Sequence, residues 1–205
     1  AGASTTAAPA GEPQPLLVAA AAAMKAAFTE VGAAFDAANN AKTTFTFDAS
    51  GALETQIEAG APIDVFASAA WKQVNNLLGQ DLLDKGSAVV FATNEVVLAV
   101  PADSPLTITS IEELRGGGIK RIAITDPETS PLGAAAVEVL TTLGILDAVQ
   151  PRLIYAKNVS QALTYVEEGE VDAGLMFATD ARSGGDKVKV VATSDSSWHS
   201  EIAFV

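Results

Sequence analysis

The chain has 205 residues, a formal net charge of −13, one histidine and no cysteine. The acidic balance excludes a nucleic acid or an anionic membrane surface as an electrostatic partner, because both need a basic face. The missing cysteines exclude disulfides, thiolate nucleophiles and cysteine-bearing metal sites, and the lone His199 lies in the polar stretch SDSSWHSE, where it reads as a solvated loop residue and not as a catalytic base.

The opening AGASTTAAPAGEPQP is small, polar, proline-rich and aperiodic, which predicts a flexible tether over residues 1–14. Leaders of this kind often separate an exported domain from a cleavage site or lipid anchor. The sequence is therefore expected to begin after removed targeting residues, with a polar end of an intracellular protein as the competing reading. Leu16 to Ala20 predicts a short buried strand. The apolar run continues only to Met24, far below the roughly 20 residues a bilayer requires. Met24 to Ala38 carries Met24, Ala27, Phe28, Val31 and Phe35 at helical spacing. AKTTFTFDA alternates around Phe45 and Phe47 and predicts a strand. Ala52 to Ala59 predicts a short helix, IDVFAS a strand, Trp71 to Leu78 a helix, and LLDKGS a loop.

A new count starts near residues 93–103. Val96 to Val100 predicts a continuous apolar strand closed by Pro101. Ser110 with Glu113 three residues later has the capping-box spacing and predicts a helix that stops at Gly116 to Gly118. Ile122 to Ile124 reads as a strand. Pro131 to Leu143 reads as a helix with proline near its start and Gly144 past its end. RLIYAKN follows as strand and turn, Val159 to Glu168 as a helix closed by Gly169, and DAGLMF, DKVKVVATS and EIAFV as strands. Alternation of this kind implies an α/β architecture with mostly parallel sheets.

In open α/β sheets, ligands sit beyond the carboxyl ends of the strands, where the N–H groups of helix starts are unpaired. This chain places short side chains at those junctions repeatedly: Ala21 to Ala23, Ala49-Ser50-Gly51, Ser68-Ala69, Ser130 to Gly133, and Asn158 to Ser160. Small residues let a ligand approach the backbone, and several such ends meeting at one point would hold a compact anion with neutral donors. Each junction taken alone also reads as an ordinary helix cap. GGGIK lacks P-loop spacing, and the carboxylates Asp64, Asp126, Asp172 and Asp180 are scattered; Asp64 and Asp172 precede apolar strands, where turn or cap roles are expected.

The blocks SGALETQIEAGAPIDVFASA, ITDPETSPLGAAAVEVLTTLGI and KNVSQALTYVEEGEVDAGLMFATDA resemble, in order and separation, the periplasmic molybdate-binding proteins, the soluble receptors of molybdate ABC transporters. The resemblance covers roughly residues 16–205. It implies a two-lobed type II periplasmic-binding fold with crossing hinge strands, lobe I over 15–93 and lobe II over 94–205. Family members continue past the equivalent of EIAFV with helices that complete lobe I, so exposed apolar surface there, or completion by another chain, is expected; otherwise a monomer is expected. The family's ligand positions fall on Ala23, Ser50, Ala69, Leu132, Val159 and Phe177. At Ala23 a family serine is missing, and at Phe177 a family tyrosine.

The resemblance thus implies a non-enzymatic extracytoplasmic receptor, periplasmic or extracellular, with or without a lipid anchor. It would capture molybdate or tungstate for an ABC permease, with no cofactor, metal site or catalytic residue. The alternatives are a receptor or sensor for sulfate, phosphate or a small anionic metabolite. An enzyme on the same architecture is disfavoured by the missing cysteine, the single surface-type histidine and the absence of paired carboxylates.

Overall fold

The computed structural model describes residues 12–205. Most of the expected 1–14 tether lies outside the described residues, and Gln14 already belongs to the first strand. That strand, β1 (Gln14–Ala21), lies between β2 (Ala41–Asp48) and β3 (Val65–Ala67) in a three-stranded sheet, with both pairings parallel. The connections are α1 (Lys25–Asn39), preceded by a 3-10 turn over Ala22–Met24, and α2 (Ser50–Glu58). Helix α3 (Trp71–Gly79) follows β3.

The helical stripe expected on α1 is rotated in the fold. Met24 is buried and Phe28 half-buried, but Ala27 is exposed, and Val31 and Phe35 are 60% and 43% exposed. The inward face runs instead through Phe28, Gly32 and Asp36. The Asp36 carboxylate accepts from Thr43 N (3.0 Å) and Thr43 Oγ1 (2.5 Å), and Phe28 meets Phe45 edge-on at 6.3 Å. A polar anchor, invisible to hydrophobic periodicity, sets the helix's rotation.

The second sheet has five strands in the order β7-β6-β8-β5-β9: β5 (Val96–Pro101), β6 (Ile122–Thr125), β7 (Leu153–Ala156), β8 (Ala173–Phe177) and β9 (Val188–Thr193). Strands β7, β6 and β8 are parallel, while β5 runs antiparallel to β8 and β9. Every residue of β5, β6 and β8 is buried, as expected of apolar strands covered on both faces. Helices α4 (Pro131–Thr142) and α6 (Val159–Glu167) connect the parallel strands; α5 (Leu146–Val149) and α7 (Ala178–Ser183) are four- and six-residue helices too short for periodicity to reveal. The capping-box segment makes only one 3-10 turn, Glu112–Arg115. Glu113 accepts from Ser110 N (3.1 Å) and Thr109 N (3.0 Å), so half of the box forms, but the glycines beyond it end the helix at once.

Two short strands, β4 (Ala92–Thr93) and β10 (Ala203–Phe204), pair antiparallel where the chain passes between the sheets and returns. The return strand also docks on the first sheet: Val205 and Ser68 exchange both backbone hydrogen bonds. On the first-sheet side the exposed residues Val65, Leu82, Val89 and Phe91 border a groove of about 730 Å³.

Candidate anion-binding site

The carboxyl ends of β1, β2, β3, β6, β7 and β8 all point to the seam between the two sheets. There the chain encloses a cavity of about 10 Å³, walled by Ala21, Ala22, Ala23, Asp48, Ala49, Ser50, Ala69, Ser130, Pro131, Val159 and Phe177. Wider grooves flank it, of about 290 Å³ beyond Ala69 and Ser130, and about 480 Å³ beyond Ala22 and Ala23. The small cavity is the place where strand ends from both sheets converge, and it is the candidate site on that ground.

Five of the six expected positions line it: Ala23, Ser50, Ala69, Val159 and Phe177. Leu132 does not; its side chain is wholly buried in the core, and Ser130 and Pro131 present the start of α4 to the cavity. Gly133 explains how that helix start sits so close. A Cβ there would lie 2.4 Å from the Thr125 carbonyl oxygen, so only glycine lets α4 pack on the end of β6.

Ser50 does not cap its helix. Helix α2 begins at Ser50 itself, two residues before the expected start, and Ala49 is the N-cap without any side-chain bond. Ser50 is fully buried, and its Oγ accepts the Ala69 N–H at 3.0 Å. A hydroxyl has one proton and two acceptor sites. One acceptor site is used on Ala69, and the hydroxyl proton is available to turn toward the cavity. The Ala69 N–H is spent on this bond, and Ala69 contributes wall, not donor.

Ser130 repeats the arrangement. It is buried, and its Oγ accepts from Thr125 Oγ1 at 2.8 Å, leaving its own proton for the cavity. The expectation at Leu132 concerns the start of α4, which meets the cavity through Ser130 and Pro131; Ser130 itself is marked by its pairing with Thr125, a signal that exists only once β6 and α4 are side by side. The first-turn N–H groups of α4 and α6 have no intrahelical partner, and of these helix starts Pro131, which has no N–H, and Val159 lie on the cavity wall. Among the described residues, Asp48 is the one ionisable residue on the wall, and no lysine, arginine or histidine lines it. An anion held here is held by neutral dipoles at helix starts.

The other candidates take structural places. The Asp64 carboxylate accepts from Leu17 N (2.8 Å), that of Asp172 from Lys120 N (2.6 Å) and Arg121 N (2.9 Å), and that of Asp126 from Glu128 N (2.9 Å). His199 is half-buried, with its ring nitrogens 3.1 Å from Ser194 Oγ and 2.8 Å from the Ser200 carbonyl oxygen, outside the cavity. Asp180 is the exception. It sits in the first turn of α7, just after Phe177, only 6% exposed and with Oδ2 unpartnered; burial pushes its carboxyl up to about 7, against a hydrogen bond from the Phe177 backbone that pulls the other way.

The family model for bacterial extracellular solute-binding proteins matches residues 16–204. A Bacillus subtilis protein, provisionally named as the substrate-binding lipoprotein of an ABC transporter, is 37% identical over 77% of this chain and 60% of its own length. The molybdate-binding protein ModA of Escherichia coli K12 is 33% identical over 92% of this chain and 75% of its own length. The solved periplasmic molybdate-binding protein of Azotobacter vinelandii is 26% identical and superposes with a TM-score of 0.82, over 92% of this chain and 83% of that one. The chain thus spans well under two thirds of the Bacillus relative and three quarters of the Escherichia one.

Proposed function

We propose, since this chain belongs to the bacterial extracellular solute-binding protein family, that it captures a tetrahedral oxyanion, molybdate or tungstate, outside the cytoplasm for an ABC importer. Its two sheets, linked through the β4–β10 crossing, have the two-lobed type II periplasmic-binding architecture. The observation that carries the reading is the meeting of strand ends and helix starts from both sheets at one spot walled by short side chains. Its available donors are two serine protons and helix-start N–H groups contributed from both sheets.

Binding in this reading is a closure. The anion enters between the parted lobes, meets the Ser50 hydroxyl on one side and Ser130 with the starts of α4 and α6 on the other, and is buried when the lobes rotate together about the crossing strands. No covalent step and no cofactor takes part; the anion is cargo, delivered to the permease. A lipid anchor on the outer face of the membrane fits the same role.

Thermal unfolding with and without each anion tests the reading. At a molybdate or tungstate concentration about a hundredfold above Kd, the bound state gains about 2.7 kcal/mol, which raises Tm by about 5–10 °C for a chain this long. No shift with molybdate, tungstate, sulfate or phosphate overturns the oxyanion reading, and a shift with sulfate or phosphate alone overturns molybdate as the cargo.

The missing hydroxyls give a second test. Phe177 is buried, lines the cavity, and meets Phe204 edge-on at 5.8 Å. Phe177→Tyr is expected to strengthen molybdate binding up to about tenfold, the equivalent of one added hydrogen bond of about 1.4 kcal/mol. Titration calorimetry on parent and variant reads it directly. Weaker binding in the variant would mean that the bare ring edge shapes the pocket for another anion.

A further inference from the structure

Two hydrogen bonds cross the seam beside the cavity. The Gly51 N–H, in the first turn of α2, donates to the Thr129 carbonyl oxygen at 2.9 Å, in the loop before α4. Asn158 Nδ2 donates to Asp48 Oδ1 at 2.9 Å, a contact between residues 110 apart in sequence. Each joins an element of the first sheet to an element of the second. Asn158 is held at both ends of its amide, because its Oδ1 accepts Gln161 N (3.1 Å) as the N-cap of α6. The same side chain therefore starts α6 and ties that start to the end of β2. Asp48 is held in turn, since Oδ1 also accepts the Ala49 N–H at 2.9 Å.

From this geometry we infer that Gly51–Thr129 and Asp48–Asn158 form a clasp that closes the cleft and keeps it closed over the cavity. The four are positioning residues, and both bonds coexist with the enclosed cavity, so closing the lobes and making the clasp are one movement. Gly51 has a specific reason to be glycine. A Cβ there would lie 2.6 Å from the Thr129 carbonyl oxygen and 3.0 Å from Thr129 Cα. Both atoms are backbone, so no side-chain rotation relieves the collision; the backbones on the two sides of the seam must move apart. The position is helical, and alanine is the better helix former, so the substitution leaves α2 sound and acts on closure alone.

The inference rests on the oxyanion reading, and the parent serves as the control for that reading. With molybdate well above Kd, small-angle X-ray scattering is expected to show the parent compacting and Gly51→Ala keeping a larger radius of gyration, while the ligand-free variant melts no lower than the ligand-free parent. With molybdate as the probe, stopped-flow kinetics are expected to show koff raised about tenfold or more, with kon changed less than about twofold, because the clasp acts after the encounter. Asn158→Ser keeps a capping oxygen and removes the donor to Asp48; its koff is expected to rise by a smaller factor, about threefold to tenfold. Parent-like compaction of molybdate-saturated Gly51→Ala overturns the clasp, as does a parent-like koff in both variants. A parent that neither binds molybdate nor compacts with it refutes the cargo, and the same comparison with whichever of tungstate, sulfate or phosphate raises the parent's Tm then decides the clasp.

Discussion

Ser50→Ala is expected to lower molybdate affinity about ten- to a hundredfold and to destabilise the protein as well. The two effects have separate causes. A hydrogen bond to a charged partner is worth about 1.5–3 kcal/mol, and at about 1.4 kcal/mol per tenfold that sets the affinity loss. The buried Ala69 N–H loses its acceptor at the same time. A buried donor left without a partner costs about 1–3 kcal/mol, independent of any anion. A simple capping serine would behave differently, costing about 1 kcal/mol of stability with affinity intact. Calorimetric titration together with urea unfolding of the ligand-free variant separates the cases. Unchanged affinity would take Ser50 out of the site, and unchanged stability would mean that the Ala69 N–H finds another acceptor.

The largest effect of pH is expected at Asp180. Its carboxyl is pushed from an ordinary 3.8 up to about 7 by burial, so the folded protein holds a proton that the unfolded chain has released. The sign follows: the folded state binds more protons between these values, so stability falls as pH rises through that window. The contribution is complete below about pH 4, is lost progressively to about pH 7, and does not change further above it. The full span is on the order of 4 kcal/mol, at about 1.4 kcal/mol per unit. Other groups titrate too, so the clean measurement is a difference. Urea unfolding of the parent and Asp180→Asn from pH 4 to pH 8 is expected to show the variant gaining on the parent as pH rises. Parallel curves would mean that Asp180 is ionised in the folded protein and that its Oδ2 has a partner.

Both expectations rest on burial, and burial separates what was legible beforehand from what was not. The order of strands and helices could be read from local pattern, because period-2 and period-3.6 apolar spacing belongs to a few consecutive residues. So could the junctions, since a strand giving way to a helix through short side chains is also a local event. Six parallel strand ends and the helix starts beyond them placed five of the six expected residues around one cavity. Reading failed where a local rule met a distant partner. Ser110 and Glu113 formed half a capping box without a helix, and Val31 and Phe35 kept their spacing while a carboxylate on the neighbouring face turned α1.

Local pattern and composition suffice for the α/β class, the junctions that build the site, the net negative charge of the chain and its likeness to the molybdate receptors. Tertiary structure alone decided how each polar group is used. Ser50 spends its acceptor on Ala69, 19 residues away, and Asp48 meets Asn158 across the cleft. It alone put Asp180 out of water and pressed Gly51 against the backbone of Thr129. The physical reason is that a helix or strand declares itself through repeats among neighbours, whereas a hydrogen bond between remote segments leaves no periodic trace and exists only after the chain has brought both ends together.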